Sequence, residues 1–230
     1  MSEIQTIVDD SAASDTRHDS ELSRVYYEIL KAITDRVLLP GRKLTESDLC
    51  RQMVCSRNTV RGALSLLAHD KIVDLQPNRG AFVHVPDLQE IRDVFSMRIA
   101  LEEMALTRLT ELPDLAEKLL PVFSLVIQED EALATGDKVG RARLSNAFHI
   151  ELVKVLGNQV LVDIMASLCA RSSLMAALTR RSVPYEDSKN EHRDLLELLL
   201  AGRGKRAGKK MRKHLQAALA GLEAQFDHWE

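Results

Sequence analysis

Apolar residues recur at Leu22, Val25, Tyr26, Ile29, Ile33 and Val37. That spacing of three and four predicts an amphipathic helix, which Pro40-Gly41 ends. "LTESDLCRQM" predicts a second helix, with Thr45 as its cap and Asp48, three residues on, completing an approximate capping box. Val54-Cys55 makes a short turn, and Ser56 caps a third helix that buries Val60, Leu64 and Leu67. "IVDL" and "AFVHV" read as two short strands, joined by the hairpin signal Asn78-Arg79-Gly80. Three helices followed by a hairpin is the order of a winged helix-turn-helix, whose third helix enters the major groove with its N-terminal residues nearest the bases.

Beyond Pro86-Asp87 the pattern is helical throughout, with predicted spans 88–110, 114–135, 138–156, 159–181, 187–201 and 204–228. Pro113, Gly136, Gly157-Asn158, Pro184 and Gly202 punctuate them. The expected fold is therefore mainly α. An N-terminal winged helix-turn-helix domain spans 20–86, and a C-terminal all-α antiparallel helical bundle spans 87–230. Residues 1–19 are polar and acidic without a sustained period, and read as a disordered tail.

Composition adds a charge asymmetry. The 230-residue chain has a formal charge of −3, so as a whole it is not a basic nucleic-acid-binding type. Residues 1–19 hold one Arg against five acids, whereas residues 20–87 hold ten Lys and Arg against eight acids, a local +2. The low aromatic content of 4%, beside many Leu and Ala, fits helix-rich packing. Cys50, Cys55 and Cys169 form neither a disulfide framework nor a paired-thiolate metal motif. No signal peptide is visible, and runs such as "LLELLLA" fall short of the roughly 20 residues that span a bilayer. The expectation is a cytoplasmic protein without a membrane partner.

Arg57 and Arg61 share one face of the third helix, because residues four apart are neighbours. Arg donates two parallel hydrogen bonds to guanine O6 and N7, the commonest specific major-groove contact. Two arginines alone also describe a solvated, capped helix; the turn-helix context and the wing favour DNA. Ser56, Asn58 and Thr59 stand at the same helix start, within reach of base edges or phosphates. Arg79 with flexible Gly80 at the hairpin tip, and Arg42 and Lys43 before the second helix, complete the candidate DNA-binding set. The basic run "GRGKRAGKKMRK" reads instead as a solvated helix start.

The stretch "LLPGRKLTESDLCRQMVCSRNTVRGALSLLAHDKIVDLQPNRGAFV" resembles the winged-helix domain of GntR-family bacterial transcription regulators. "RIALEEMA", "FHIELVKVLGN", "EHRDLLELL" and "MRKHL" are similar to the FadR-type (FCD) effector domain. The resemblance implies a homodimer that binds an inverted-repeat DNA operator and responds to a small carboxylate effector. It further implies that His149, His192 and His214 converge on a divalent cation, for which neutral imidazole suits Zn²⁺ or Ni²⁺. By position alone, each of these histidines reads as a surface or hydrogen-bonded residue. The Asp that usually completes the ligand set is replaced here by Ser145, with Asn146 beside it as a poor substitute. Arg98 either faces the effector cavity, as the resemblance implies, or forms a surface ion pair with Glu102. Relatives often carry Arg where this chain has Ser47, and Glu where it has Gly62.

Two other readings remain. A metal-dependent hydrolase would use the three histidines with an open coordination position, although the chain lacks HExxH and an assignable general base. A helical interaction module whose winged helix has lost DNA binding is the third.

Overall fold

The structure is a computed structural model that describes residues 21–178 and 190–226. The predicted tail at 1–19 lies outside them, as do the ends of three predicted helices at 179–181, 187–189 and 227–228. The chain divides between Val85 and Pro86 into two units.

In the first unit, residues 21–34 form α1 and bury Val25, Ile29 and Ile33 completely. Two side chains tie α1 to its neighbours. Arg24 donates to the Met53 carbonyl (3.0 Å), and the Tyr26 hydroxyl donates to Asp70 (2.6 Å). Helix α2 (Glu46–Met53) and helix α3 (Arg57–His69) flank a turn in which Val54 takes the left-handed conformation (φ +48°). Ser56 caps α3 as expected, its hydroxyl accepting from the Thr59 amide at 3.1 Å. The capping box at Thr45 does not form, since its side chain makes no capping hydrogen bond. Asp48 is a carbon shorter than the Glu such a box prefers, and its carboxylate pairs with Arg51 instead.

Strands β1 (Lys43–Leu44), β2 (Val73–Gln76) and β3 (Gly80–Val83) form an antiparallel sheet in the order β1-β3-β2. Phe82 lies between Lys43 on one side and Asp74 on the other. The hairpin is the predicted one; β1, at two residues, is too short to show any period. Gly62 lies close to α1, where a Cβ at that position would come within 2.9 Å of Leu22 Cδ1.

The second unit contains α4 (Leu88–Leu109), α5 (Leu115–Lys118), α6 (Leu120–Thr135), α7 (Lys138–Lys154), α8 (Gln159–Leu178), α9 (Glu191–Leu200) and α10 (Gly204–Phe226). The span 114–135, expected as one helix, is two. Pro121 lacks an N–H and fits only the first turn of a helix, so a new helix starts at Leu120. Among the described residues this unit contains no strand, as the pattern predicted. Residues 159–177 of α8 are long and apolar enough by composition to cross a membrane. Leu161, Met165, Leu168, Cys169 and Met175 of that stretch are buried in the bundle core, which accounts for their apolarity.

Helices α4 and α10 run antiparallel at very close approach. A Cβ at Gly204 would lie 2.9 Å from the Leu106 carbonyl oxygen and 2.8 Å from that of Thr107. A Cβ at Gly208 would lie 2.9 Å from the Glu103 carbonyl oxygen. The basic run read as a solvated start is therefore two-sided: Gly204 and Gly208 face α4, Arg212 reaches Glu103 of α4 (Nε–Oε2 2.8 Å), and Lys205, Arg206, Lys209 and Lys213 are exposed.

Candidate DNA-reading edge and buried histidine cluster

At the start of α3, Arg57, Asn58 and Arg61 are exposed. Arg61 is engaged by its own chain, its Nε donating to both Glu46 carboxylate oxygens at 2.9 and 3.0 Å. Among the described residues Arg57 has no ion-pair partner. Thr59 differs from the expectation. It is 0% exposed, and its hydroxyl donates to Glu21 on α1 at 2.9 Å. It holds the helix start in place and presents nothing to a groove. A signal for this was present, since Thr59 falls on the stripe Thr59, Val60, Ala63, Leu64, Leu67 that α3 buries.

At the wing, Asn78 and Gly80 both have positive φ (+60° and +98°), which turns the chain tightly and leaves Arg79 at the exposed tip. Arg79 and Lys43 both approach the Phe82 ring, at 5.5 and 5.9 Å from its centroid. Arg42 and Ser47 are exposed as well.

The three histidines come together in the second unit. His149 on α7, His192 on α9 and His214 on α10 each offer a ring nitrogen, all within 4.8 Å of one another, and all three are buried. Each Nδ1 meets a carboxylate. His149 meets Glu102 of α4 at 2.5 Å, His192 meets Glu129 of α6 at 2.7 Å, and His214 meets Glu191 of α9 at 2.5 Å. Occupying each Nδ1 this way fixes the tautomer and turns Nε2 toward the shared centre, the arrangement by which proteins orient metal-binding imidazoles. Phe148 stacks on His192 with centroids 4.0 Å apart and further fixes that ring.

Burial pushes His149 down to about 3, against the pull of Glu102, so its ring is neutral at neutral pH. Burial likewise lowers His192. Burial alone would raise Glu102, but the facing His149 and the charged Arg98 outweigh it and hold the carboxyl at about 2. The hydrogen bond from His214 lowers Glu191. In His149 and His192 a neutral ring with Nδ1 engaged leaves Nε2 as a lone-pair donor, and the Nε2 of His192 is buried with no hydrogen-bond partner. A buried polar atom left so is costly unless something else contacts it. The donor set thus fits a divalent cation.

Arg98 corrects one alternative. Its ion pair with Glu102 forms (Nε–Oε1 3.0 Å), but at 4% exposure it is internal, not on the surface. Arg98 supports the carboxylate that supports His149. Ser145, one turn before His149, is buried; Asn146 donates instead to Ser173 of α8 (2.7 Å) and to the Ala142 carbonyl. The three carboxylates were not among the expected site residues, although Glu102 and Glu129 both lie on buried helical stripes.

A winged helix with an exposed cationic edge, in one chain with an all-helical unit centred on buried histidines, defines a DNA-binding transcription regulator. The chain belongs to the GntR family: the bacterial regulatory proteins of that family match residues 22–83, and the FCD domain matches residues 93–217. It is 30% identical over 134 residues to an HTH-type transcriptional regulator in the TAR-I ttuE-ttuC' intergenic region of Agrobacterium vitis, covering 57% of this chain and 78% of that one. It is 23% identical to the transcriptional repressor RspR of Escherichia coli K12 over 198 residues, 84% of this chain and 85% of the repressor. The crystal structure of a GntR transcriptional regulator from Rhodococcus sp. RHA1 matches with a TM-score of 0.79 at 26% identity, over 89% of this chain and 98% of that one. Escherichia coli McbR/YncC shares the fold, with a TM-score of 0.79 at 18% identity over 90% and 98% of the two chains.

Proposed function

We propose that this GntR-family regulator binds an inverted-repeat operator as a cytoplasmic homodimer and changes its affinity when a small carboxylate occupies the histidine site. Arg57 reads a base, Arg61 and Asn58 contact the same groove, and Arg42, Lys43, Arg79 and Gly80 hold the backbone. Ser56 contributes as the cap of α3, its hydroxyl engaged with Thr59. The observation that carries the DNA reading is that α3 buries one face while Arg57, Asn58 and Arg61 stay exposed over its first two turns.

His149, His192 and His214 would hold a zinc or nickel ion through Nε2. Bound there, the ion supplies positive charge and open coordination positions. Ser145, in place of a carboxylate, leaves one position unfilled. The electrostatics qualify the need for an anion. Glu102, Glu129 and Glu191 stand behind the rings, and Arg98 and Arg141 pair with two of them. The formal charge of this set is −1, so a divalent ion brings it to +1. A monocarboxylate therefore matches the residual charge, and a buried charge without a partner is costly. The ligand shifts DNA binding only through unequal affinity for the DNA-competent and DNA-incompetent arrangements.

The test is a mobility-shift titration of the full chain on duplexes from the DNA flanking its gene, with and without metal and a panel of organic acids. A retarded dimeric complex that one acid weakens or strengthens is expected. No retardation of any duplex at low salt would remove the DNA-reading assignment. Indifference to every acid in metal-loaded protein would remove the effector.

A further inference from the structure

We propose that Cys50 and Cys55 form a dithiol–disulfide couple inside the helix-turn-helix, and that closing it weakens DNA binding; the second half rests on the DNA-reading assignment above. Both thiols are free and half-buried, Cys50 near the end of α2 and Cys55 just before the cap of α3. The turn between them supplies the proximity that their spacing in sequence does not. Val54 is left-handed (φ +48°), and across it the Cys55 N–H donates to the Cys50 carbonyl at 3.2 Å. A six-to-one bond around a left-handed residue marks the Schellman motif, in which the side chains of those two positions commonly meet. With standard bond lengths, that 3.2 Å separation holds the two Cα atoms within about 7 Å even with every atom in line. Real bond angles shorten this into the roughly 4.4–6.8 Å that a disulfide spans. Cys169 stands apart, buried in the core of the helical unit.

The oxidant is a peroxide. The Cys50 thiolate attacks one peroxide oxygen, the O–O bond breaks, and the departing hydroxide takes up the thiol's proton as water, leaving a sulfenic acid. The Cys55 sulfur then attacks the Cys50 sulfur and expels a second water. Two thiols and one hydrogen peroxide thus give one disulfide and two waters. Burial pushes the Cys55 thiol up, which makes it the slower nucleophile and the resolving partner. In a reducing compartment the pair rests as thiols, and exchange with a small thiol reopens the bridge. The bridge lies where α3 is aimed. Cys55 directly precedes Ser56, the cap of α3, and Arg57 follows that cap. Cys50 shares a face of α2 with Glu46, the partner of Arg61. Drawing the sulfurs to bonding distance shifts the start of α3 against α2 and carries Arg57 and Arg61 out of register with the groove.

The experiment treats the full chain with hydrogen peroxide, digests it with trypsin and reads the peptides by mass spectrometry. Trypsin cuts after Arg51 and Arg57, so Cys50 and Cys55 leave in separate peptides that only a disulfide joins. The joined pair should appear in wild type and in Cys169→Ser, vanish on adding dithiothreitol, and be absent from Cys50→Ser. No joined pair, or one that includes Cys169 or links two chains, overturns the couple. Fluorescence anisotropy on a labelled duplex from the DNA flanking the gene reads the consequence. Oxidised wild type should bind at least about fivefold more weakly, as for loss of one arginine–base contact, and recover on reduction. Cys50→Ser should bind the duplex equally with and without peroxide. Equal affinity of oxidised and reduced wild type, with the joined pair present, overturns the effect on DNA. If neither form binds any flanking duplex, the DNA-reading assignment fails and that effect with it, while the joined peptides still establish the couple.

Discussion

Arg57 and Thr59 sit two residues apart on α3, one exposed and the other sealed against α1. Replacing Arg57 by Ala should cost about 1–3 kcal/mol of specific DNA affinity and relax preference at one base pair per half-site. A mobility-shift comparison of specific and scrambled duplexes checks it, because equal weakening of both would make Arg57 a phosphate contact. In the second unit, Glu102→Gln should weaken metal retention roughly 10–100-fold by loosening the group that orients His149. Competition with a chromophoric chelator measures this, and unchanged retention would remove Glu102 from the site. The meeting of the three histidines was implied by the family resemblance and not by their positions, yet the buried stripes carry a signal of their own. Arg98 and Glu102 fall on the buried α4 stripe Ile91, Val94, Phe95, Arg98, Glu102, Ala105 and Leu106, and His149, His192 and His214 fall on comparable stripes of α7, α9 and α10. A polar residue on an apolar stripe must find a partner inside, and that signal marks the site better than charge does. Which carboxylate meets which ring was not readable: Glu191 precedes His192 in sequence but serves His214.

At the scale of elements, helix and hairpin order followed from periodicity, and the departures have local causes. Pro121 splits one predicted helix, Asp48 turns to Arg51 instead of completing a box, and β1 exists only because β3 offers it an edge. The contact between α4 and α10 was hidden, because a glycine's role depends on what faces it across space. Gly208→Ala should destabilise the helical unit by about 1–3 kcal/mol through overpacking, despite the better helix propensity of Ala by about 1 kcal/mol. Urea unfolding followed by circular dichroism reads the change, and an unchanged midpoint would mean that α10 moves away from α4 without penalty.

For the whole molecule, two units imply two separable responses. Chelation should lower the melting temperature of the helical unit, where the histidines lie, and leave that of the winged helix unchanged. Free metal at 100 times its dissociation constant adds about 2.7 kcal/mol of stability, all of it lost on removal. Calorimetry of wild type and His192→Ala decides: a shift of equal size in both would place the metal elsewhere. DNA affinity should fall linearly with salt on logarithmic axes, reflecting phosphate neutralisation by the first unit. A flat response would contradict the cationic edge.

The paired glycines of α10 have a consequence beyond packing. His214 lies six residues past Gly208 on the same helix, and Gly208 fits only where the α4 backbone leaves room for a hydrogen atom. Sliding α10 by one residue would move His214 about 1.5 Å and swing it about 100° around the axis, out of the histidine triangle. The glycine contact acts as a notch that indexes the helix. Its effect on the metal is exerted without touching it, and a bulkier residue there would misalign a ligand whose own sequence is intact.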